Sequence, residues 1–353
     1  MSLHPRATIH LDNIVANWRT IGALTPASET GAVVKANAYG HGVAQVAGAL
    51  HNAGCRTFFV AYVEEGAELR EAVGPDAKIM VFNGAQEEDR TLVRDAQLVP
   101  VLNSLPAIDE WVSYNRTIPF AVHIDTGMNR LGVRPDDVAR MLDLTRGTAL
   151  THVMSHLVDS DDPKCPLNTR QCYTFGDLIR PLTSIQSSLA NTGGCFLGQM
   201  YGFDVTRPGI GLYGGGPRPP EGVDILPGMT LEAPILTVQK ARPDETVGYG
   251  ATCELKQDTL LATVALGYGD GFPRSAGNQG VATLGGIRCP IMGRVSMDLI
   301  TIDVSAASDL AKPGGFAQFI GPDAPLEEQA KCAGTVGYEL VTGLGHRVRR
   351  LYD

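Results

Sequence analysis

The chain has 353 residues, of which 44% are hydrophobic and 19% charged, and a formal net charge of −9 at pH 7. This length and composition predict a globular protein with a large core, more typical of two domains than of one. The acidic balance argues against nucleic acid or an anionic membrane as the main partner, because either would need a basic face, and leaves a small-molecule ligand as the default.

The N-terminal segment does not resemble a secretion signal, since Asp12 and Asn13 interrupt the place of its apolar region. No stretch of the sequence approaches the length of a transmembrane helix. The seven cysteines are odd in number, scattered and never spaced as C-x-x-C, so buried free thiols are expected rather than disulfides or a metal site. Together these features favour the cytoplasm.

The patterning of the chain changes near residue 225. Before it, short apolar runs alternate with stretches of helical periodicity, such as residues 63–73 and 134–146. The runs predicted to be strands are GAVVK (31–35), TFFVAY (57–62), AKIMVF (77–82), LVPVLN (98–103), IPFAVHID (118–125), ALTHVMSH (149–156), SSLAN (187–191) and FDVTR (203–207). Eight alternations of strand and helix predict an α/β fold, a (β/α)8 barrel of the TIM type over residues 12–224.

The segment 225–353 has a different texture. Its β-prone runs, LEAPILTVQKA (231–241), LLATVALGYGDG (260–271), VATLGGIRCPIMGRV (281–295) and LITIDV (299–304), are broken by Gly, Pro and Asp-Gly. That pattern is typical of a compact, mostly antiparallel β-domain. We expect one helix in it, Leu326–Cys332, as the only exception.

Polar residues recur where the predicted barrel strands end. They are Lys35, His123 with Asp125, His156, Asn191 with Thr192, and Arg207. TIM-type barrels place their chemistry at the carboxyl ends of the strands, so these residues predict a single polar mouth.

Lys35 is the unusual member of this set. A lysine desolvated at the rim of an apolar barrel has a lowered pKa, and the neutral amine can form a Schiff base. Pyridoxal phosphate is the commonest carbonyl partner of that kind. Its phosphate would need backbone N–H groups and hydroxyls, which the chain offers at TGG (192–194), RPGIGLYGGG (207–216) and Tyr39.

Eight motifs carry a resemblance to a known family. They are KANAYGHG (35–42), HIDTGMNRLG (123–132), SH (155–156), RPGIGLYG (207–214), VGYGA (247–251), GYGDGFPR (267–274), MGRVSMD (292–298) and GYELVTGLGHRVRRLY (337–352). In this order they resemble the motif set of alanine racemase, over nearly the whole chain. The resemblance implies pyridoxal 5'-phosphate as cofactor and the interconversion of L-alanine and D-alanine.

The resemblance also implies roles for four catalytic residues. Lys35 matches the lysine that binds the cofactor covalently and serves as one base, and Tyr249, from the partner subunit, matches the other. Two bases are required because inverting a stereocentre takes one acid/base group on each face of a planar carbanion. His156 matches a histidine that hydrogen-bonds this tyrosine. Arg207 matches an arginine that hydrogen-bonds both the histidine and the pyridine nitrogen, and it leaves that nitrogen unprotonated, which limits side reactions.

Binding residues follow from the resemblance in the same way. Those matched to cofactor contacts, mainly of the phosphate, are Tyr39, Asn191, Thr192, Gly209, Ile210 and Tyr338. Those matched to the substrate carboxylate are Arg130 and the backbone of Met297. Those that resemble an entrance lining are Tyr268, Arg274, Arg294, Asp298 and Asp161.

The family arrangement implies a homodimer in which one subunit's β-domain covers the other subunit's barrel mouth. It also implies that the N-terminal strand, within residues 1–11, crosses back to the β-domain. The implied role is supply of D-alanine for peptidoglycan or, equally, alanine catabolism.

Two positions depart from the family pattern. His123 stands where many members carry a lysine, often carbamylated, so Arg130 loses its usual partner and is expected to be oriented by another acceptor or a bound anion. Activity is then expected to be independent of dissolved carbon dioxide. Thr192 stands where serine is common, which keeps the hydroxyl.

Three other functions stay open at this point. A racemase of serine or another small amino acid would use the same mechanism. A related decarboxylase is disfavoured, because its pyridine partner is acidic where this chain has Arg207. A non-catalytic pyridoxal phosphate carrier of the single-barrel type is disfavoured by the β-domain and Tyr249.

Overall fold

The computed structural model describes residues 3–353. The N-terminal strand is expected within residues 1–11, and residues 1 and 2 of that segment lie outside the described part of the chain. Its strands are β1 (Arg6–Ile9), β2 (Glu29–Thr30), β3 (Ala32–Val33), β4 (Thr57–Val60), β5 (Lys78–Val81), β6 (Leu98–Leu102), β7 (Phe120–His123), β8 (Leu150–Met154), β9 (Gln186–Ser188), β10 (Val205–Thr206), β11 (Met229–Ala241), β12 (Thr246–Val247), β13 (Cys253–Glu254), β14 (Thr259–Val264), β15 (Val281–Leu284), β16 (Ile287–Pro290), β17 (Ile300–Asp303), β18 (Phe316–Ile320) and β19 (Arg349–Tyr352).

Helices separate most of the strands before residue 200. They are α1 (Leu11–Gly22), α2 (Lys35–Tyr39), α3 (Val43–Asn52), α4 (Val63–Val73), α5 (Arg90–Asp95), α6 (Leu105–Tyr114), α7 (Val138–Thr145), α8 (Pro166–Ile179), α9 (Thr192–Phe196), α10 (Leu326–Cys332) and α11 (Gly337–Thr342). No helix within residues 3–353 is long and apolar enough to cross a membrane.

Strands β2 to β10 form a closed barrel of parallel strands. Seven pair in the order β3 to β9, and β10 pairs with β2, which only Gly31 separates from β3. The ring closes where the Arg207 amide donates to the carbonyl of Ala190 at 2.8 Å and the Gly31 amide donates to that of Thr206 at 3.0 Å. The predicted eight-stranded barrel is confirmed.

The barrel elements follow from their sequences. Every residue of β4 and β6 is buried, as expected for strands covered on both faces. Helix α4 coincides with the predicted helical stretch at 63–73 and buries Val63, Gly66 and Leu69 on one side. The predicted stretch 134–146 is divided, because it begins with a 3₁₀ turn, Pro135–Asp137, before α7.

The remaining strands build an eight-stranded sheet and a small ribbon. The sheet runs β16-β15-β18-β11-β1-β19, with β14 on the far half of β11 and β17 beside β14, and β12 pairs with β13. Nearly all of its pairs are antiparallel, as the sequence predicts. Strand β1 lies between β11 and β19, antiparallel to the first and parallel to the second.

One expectation for this part of the chain is wrong. Helix α10 has the predicted bounds, Leu326–Cys332, but it is not the only helix, since α11 follows at Gly337–Thr342. The motif GYELVT is too short, and too close to glycine at both ends, to show helical periodicity.

The barrel and the sheet share one continuous apolar core. Their contact includes the segment that follows Lys35: Arg350 in β19 donates a hydrogen bond to the carbonyl of Gly40 over 3.1 Å. Gly40 has φ +78, and a Cβ there would lie 2.1 Å from the carbonyl oxygen of Val341 in α11. Only glycine allows this close approach of α11.

The seven cysteines are free thiols, as expected. Cys55, Cys172, Cys195 and Cys289 are buried, whereas Cys165, Cys253 and Cys332 are half-buried. The expectation of buried thiols therefore holds for four of the seven.

Candidate active site

A cavity of about 590 Å³ opens at the carboxyl ends of the barrel strands. Its ionisable lining residues are Lys35, Tyr39, His123, Arg130, His156, Arg207 and Tyr338. Among residues 3–353, no aspartate or glutamate lines it. The cavity is thus built to receive anionic groups.

Lys35 is separated from the end of β3 by Val34 alone and lies in this cavity. Its Nζ lies 5.8 Å from the ring centroid of Phe82, on the ring face. Burial lowers the pKa of Lys35, the positive charge of Arg130 lowers it further, and the carboxylate of Glu65 opposes both. The amine is therefore a better nucleophile and base near neutral pH than a lysine in water.

The backbone after Lys35 adopts a left-handed turn. Ala36, Asn37, Ala38 and Tyr39 have φ between 51° and 54°, a region that non-glycine residues enter at a cost of about 1–2 kcal/mol each. Local hydrogen bonds hold the turn: Ala38 N donates to Val34 O over 2.9 Å, and the Asn37 side-chain oxygen accepts from Val43 N over 2.7 Å.

Hydroxyl and amide groups converge on the wall beside β3, where a Cβ on Gly209 would lie 3.5 Å from that of Val33. Thr192 Oγ1 accepts from the amides of Gly209 and Gly211 at 3.0 and 3.2 Å, which leaves its own proton free to be donated. The hydroxyl of Tyr39 lies over Gly209, where a Cβ would come within 2.6 Å of it. Asn191 caps α9 by accepting from the amide of Gly194 at 2.9 Å.

Two tyrosines complete this wall, with ring centroids of Tyr39 and Tyr338 6.1 Å apart. Burial raises the pKa of Tyr39, and burial together with Asp161 raises the pKa of Tyr338 to about 12. Both phenols stay protonated at neutral pH and can donate hydrogen bonds to an anion.

Arg207 is buried at the base of the cavity. It donates to Ser188 Oγ, to the carbonyl of Ser155 at 2.5 Å and to that of Leu189 at 3.2 Å. His156 is not among these partners, although both residues line the cavity. Burial lowers the pKa of Arg207 to about 10, so it remains a cation at neutral pH.

His156 is an uncharged histidine. Burial lowers its pKa to about 3, and the nearby charge of Arg207 contributes. Gln171 in α8 fixes its backbone by donating to the His156 carbonyl over 2.9 Å.

Asp125 does not belong to the polar mouth, contrary to the expectation from the sequence. Its carboxylate accepts the amides of Gly127, Met128 and Asn129 and pairs with Arg134 at 2.9 Å. Those bonds hold the pKa of Asp125 low in spite of burial. It shapes the loop that carries Arg130 and has no place in the cavity.

Several predicted site residues lie outside the cavity of this chain. Those from the sheet region are Tyr249, Tyr268, Arg274, Arg294, Met297 and Asp298, and Asp161 is in the loop after β8. Tyr249 is 74% exposed and Met297 54% exposed. The segment that carries Met297 is held by hydrogen bonds from Gly269 N to Met297 O at 2.8 Å and from Arg347 to Asp298 at 2.9 Å. The turn that carries Tyr249 is closed by a bond from Ala251 N to Gly248 O at 3.4 Å.

Three residues of the site were missed in the sequence. Phe82 lies against Lys35, Asn103 hydrogen-bonds His123 at 3.0 Å, and Glu65 accepts from the amide of Ala36 at 2.7 Å. Phe82 and Asn103 end predicted strands, and that position was their only signal. Glu65 looks like an ordinary first-turn acid of α4.

Two family models together span most of the chain. The model of the alanine racemase N-terminal domain matches residues 9–217, and that of the alanine racemase C-terminal domain matches residues 228–352. Among curated proteins, the alanine racemase of Ruegeria sp. is 44% identical over 352 residues, covering 99% of each chain. That of Rhodospirillum rubrum is 42% identical over 354 residues, covering 98% of this chain and 95% of the relative.

Solved structures give the same result. Alanine racemase from Bartonella henselae with covalently bound pyridoxal phosphate superposes with a TM-score of 0.94 at 33% identity, covering 100% of both chains. The biosynthetic alanine racemase from Pseudomonas aeruginosa superposes with a TM-score of 0.93 at 31% identity, again over 100% of both.

Proposed function

The chain belongs to the alanine racemase family and has its activity, the interconversion of L- and D-alanine, and we propose that it does so with pyridoxal 5'-phosphate and two bases, Lys35 and Tyr249 of the partner subunit. The observation that carries this proposal is the cavity itself. It combines one desolvated amine with cations, phenols and amides, and it has no carboxylate among its lining residues.

The residues of the cavity fit the cofactor. Pyridoxal phosphate supplies an aldehyde that captures an amine and a ring that withdraws electrons from the α-carbon. Lys35 would hold it covalently. Thr192, Tyr39 and Tyr338 would donate to the phosphate, together with the amide of Ile210, and Arg207 would face the ring nitrogen. The amide of Gly209 instead donates to Thr192 Oγ1 and so orients the Thr192 hydroxyl.

Lys35 meets the requirement for one base. Burial favours its neutral form, and it approaches from the wall formed by β3. The second base has to act from the opposite side of the α-carbon. Neither phenol in the cavity is suited, because burial raises the pKa of Tyr39 and of Tyr338.

Tyr249, which matches the second base of the family, is the tyrosine that we propose for this role. It lies outside the cavity of its own chain, is largely exposed and is carried by an ordered 3₁₀ turn, Tyr249–Ala251. Exposure in the single chain is what a residue donated to another subunit would show. We therefore propose a homodimer in which the partner's Tyr249 and the partner's Met297 close each cavity, with Arg130 and Met297 binding the substrate carboxylate.

Arg207 defines the reaction that the cofactor favours. A guanidinium keeps its proton at neutral pH and cannot protonate the ring nitrogen, whereas a carboxylic acid could. His156, neutral and next to Arg207, can pass a proton to or from a tyrosine. This arrangement favours return of the proton to carbon over transamination.

We also propose that residues 12–224 form the barrel domain and that residues 225–353, together with the N-terminal strand, form the β-domain. We further propose that the protein acts in the cytoplasm. The sheet position of β1 and the free thiols support them. The reaction would supply D-alanine for peptidoglycan or would serve alanine catabolism.

The proposal is tested by incubating the purified protein with L-alanine in deuterated water and following both chirality and deuterium at the α-carbon. We expect D-alanine to appear with deuterium at that carbon. Borohydride treatment followed by peptide mapping is expected to label Lys35, and an active preparation left unlabelled there would contradict the proposal.

A further inference from the structure

We propose that Glu65 is a positioning residue that joins the carboxyl ends of β3 and β4 and thereby fixes the amine of Lys35. The inference rests on the proposed role of Lys35. It concerns a carboxylate outside the cavity lining, on the first turn of α4.

The carboxylate of Glu65 connects two chain segments that are distant in sequence. Its Oε1 accepts from the amide of Ala36 at 2.7 Å, the residue directly after Lys35. Its Oε2 accepts from the amides of Ala61 at 2.7 Å and Tyr62 at 3.2 Å, just after β4. Hydrogen bonds to a carboxylate are about twice as strong as neutral ones, so this is a firm link.

The link acts where the backbone is strained. Ala36 is the first of four consecutive non-glycine residues in the left-handed region. The amide of Ala36 lies in the first turn of α2, where a helix offers no carbonyl to accept it, and Glu65 accepts it instead. Without that acceptor, the amide of Ala36 would lose its partner, while the bond from Ala38 N to Val34 O and the bonds made by Asn37 and Arg350 would remain.

The charge of this carboxylate also acts on the pKa of Lys35. Glu65 is the negative charge that partly offsets the effect of burial and of Arg130 on Lys35. The position of the amine and its electrostatic surroundings therefore depend on one side chain that does not touch the substrate.

The test compares variants of the full-length protein loaded with cofactor. Glu65→Ala removes the link. Glu65→Asp keeps a carboxylate at the start of α4 but is too short to reach Ala36. Glu64→Gln is the matched control, because Glu64 is exposed on the same turn.

For Glu65→Ala and Glu65→Asp, we expect kcat to fall by about 10- to 100-fold while KM changes by less than about threefold, since a small displacement of a catalytic group acts on the chemical step. The dissociation constant of the cofactor should rise by about tenfold or more. In native-state hydrogen exchange, the amide of Ala36 should lose protection. Glu64→Gln should match the unmodified protein within about twofold.

A purely structural role would lower thermal stability in Glu65→Ala, leave Glu65→Asp like the control and leave the exchange at Ala36 unchanged. That pattern would overturn the inference. If Glu65→Ala does not fold, Glu65→Asp and the exchange measurement decide. Absence of borohydride labelling at Lys35 in the unmodified protein would instead show that the proposed function fails.

Discussion

His123 donates a hydrogen bond from Nδ1 to the side-chain oxygen of Asn103 over 3.0 Å. The direction follows from Asn103, whose amide nitrogen donates to the carbonyls of Phe82 and Val101, each at 2.9 Å, so that its oxygen must accept. Nε2 of His123 is left with its lone pair. Burial, assisted by Arg207, lowers the pKa of His123 to about 4 and keeps the ring neutral.

A neutral imidazole forms no stable carbamate, so we expect the activity to be independent of dissolved carbon dioxide. The measurement compares kcat/KM in degassed buffer with and without added bicarbonate. His123→Lys restores an amine that can react with carbon dioxide and is expected to respond to bicarbonate. Stimulation of the unmodified protein by bicarbonate would contradict the prediction.

Mixing two inactive variants should restore activity if each site draws on both subunits. Lys35→Ala and Tyr249→Phe each inactivate both sites of their own homodimer. In a mixed dimer, one site carries both substitutions and the other carries none. Random exchange makes half of the dimers mixed, so about a quarter of the unmodified activity is expected. No recovery after verified subunit exchange would rule out the shared site.

Tyr249→Phe should separate proton exchange from racemisation. We expect racemisation to fall by about 10²- to 10⁴-fold, the range for loss of a general base. One enantiomer should still exchange its α-hydrogen with deuterated water and keep its configuration, because Lys35 remains on one face. Equal loss of exchange from both enantiomers would argue against two independent bases.

Thr192 offers a test of the cofactor wall. Thr192→Val leaves the buried amides of Gly209 and Gly211 without their acceptor and removes a hydroxyl donor. The unsatisfied amides lower the stability of the protein with or without cofactor, whereas a hydrogen bond to a charged group is worth about 1.5–3 kcal/mol, so loss of the hydroxyl donor should raise the dissociation constant of pyridoxal phosphate by about 10- to 100-fold. Thr192→Ser keeps the hydroxyl and should bind like the unmodified protein. Cofactor titration of the apo-protein measures both, and equal binding by all three would show that the hydroxyl is not needed.

Four histidines with lowered pKa values predict that the folded protein loses stability in mild acid. Burial lowers the pKa of His41, His123 and His152 to about 4 and that of His156 to about 3. The unfolded chain binds these protons near pH ~6.5, so as the pH falls the unfolded state gains protons that the native state does not. Each of these histidines should therefore lower the free energy of unfolding by up to about 3 kcal/mol between about pH 6.5 and pH 4. Denaturant titrations at pH 7.5 and 5.0 that give the same value would contradict this.

The barrel could be predicted because parallel strands that are buried on both faces appear in the sequence as short apolar runs. Seven of the eight predicted runs contain an observed strand, and the eighth, SSLAN (187–191), overlaps β9 (Gln186–Ser188). The polar residues at the ends of the runs line one cavity, apart from Asp125. Asp125 was misread because an aspartate that accepts backbone amides in a loop has the same sequence signal as one at a catalytic site.

The left-handed turn could not be predicted. Of Ala36, Asn37, Ala38 and Tyr39, only asparagine is common at positive φ, and the conformation depends on distant partners such as Glu65 and Arg350. Residues that act through backbone amides leave no spacing pattern. For this reason Glu65 was not among the expected site residues, and Asn103 was not because its bond to His123 joins two strands and also leaves no spacing pattern.

Strand β1 has a consequence for how the molecule is made. Arg6 is paired with Arg349, about 340 positions later in the chain, and with Glu232 on its other side. At about 5–20 residues per second, a ribosome needs roughly 20–70 s to supply that last neighbour. The sheet is thus completed only after β19 has been made, and until then the edge of β1 that later pairs with β19 has no partner strand.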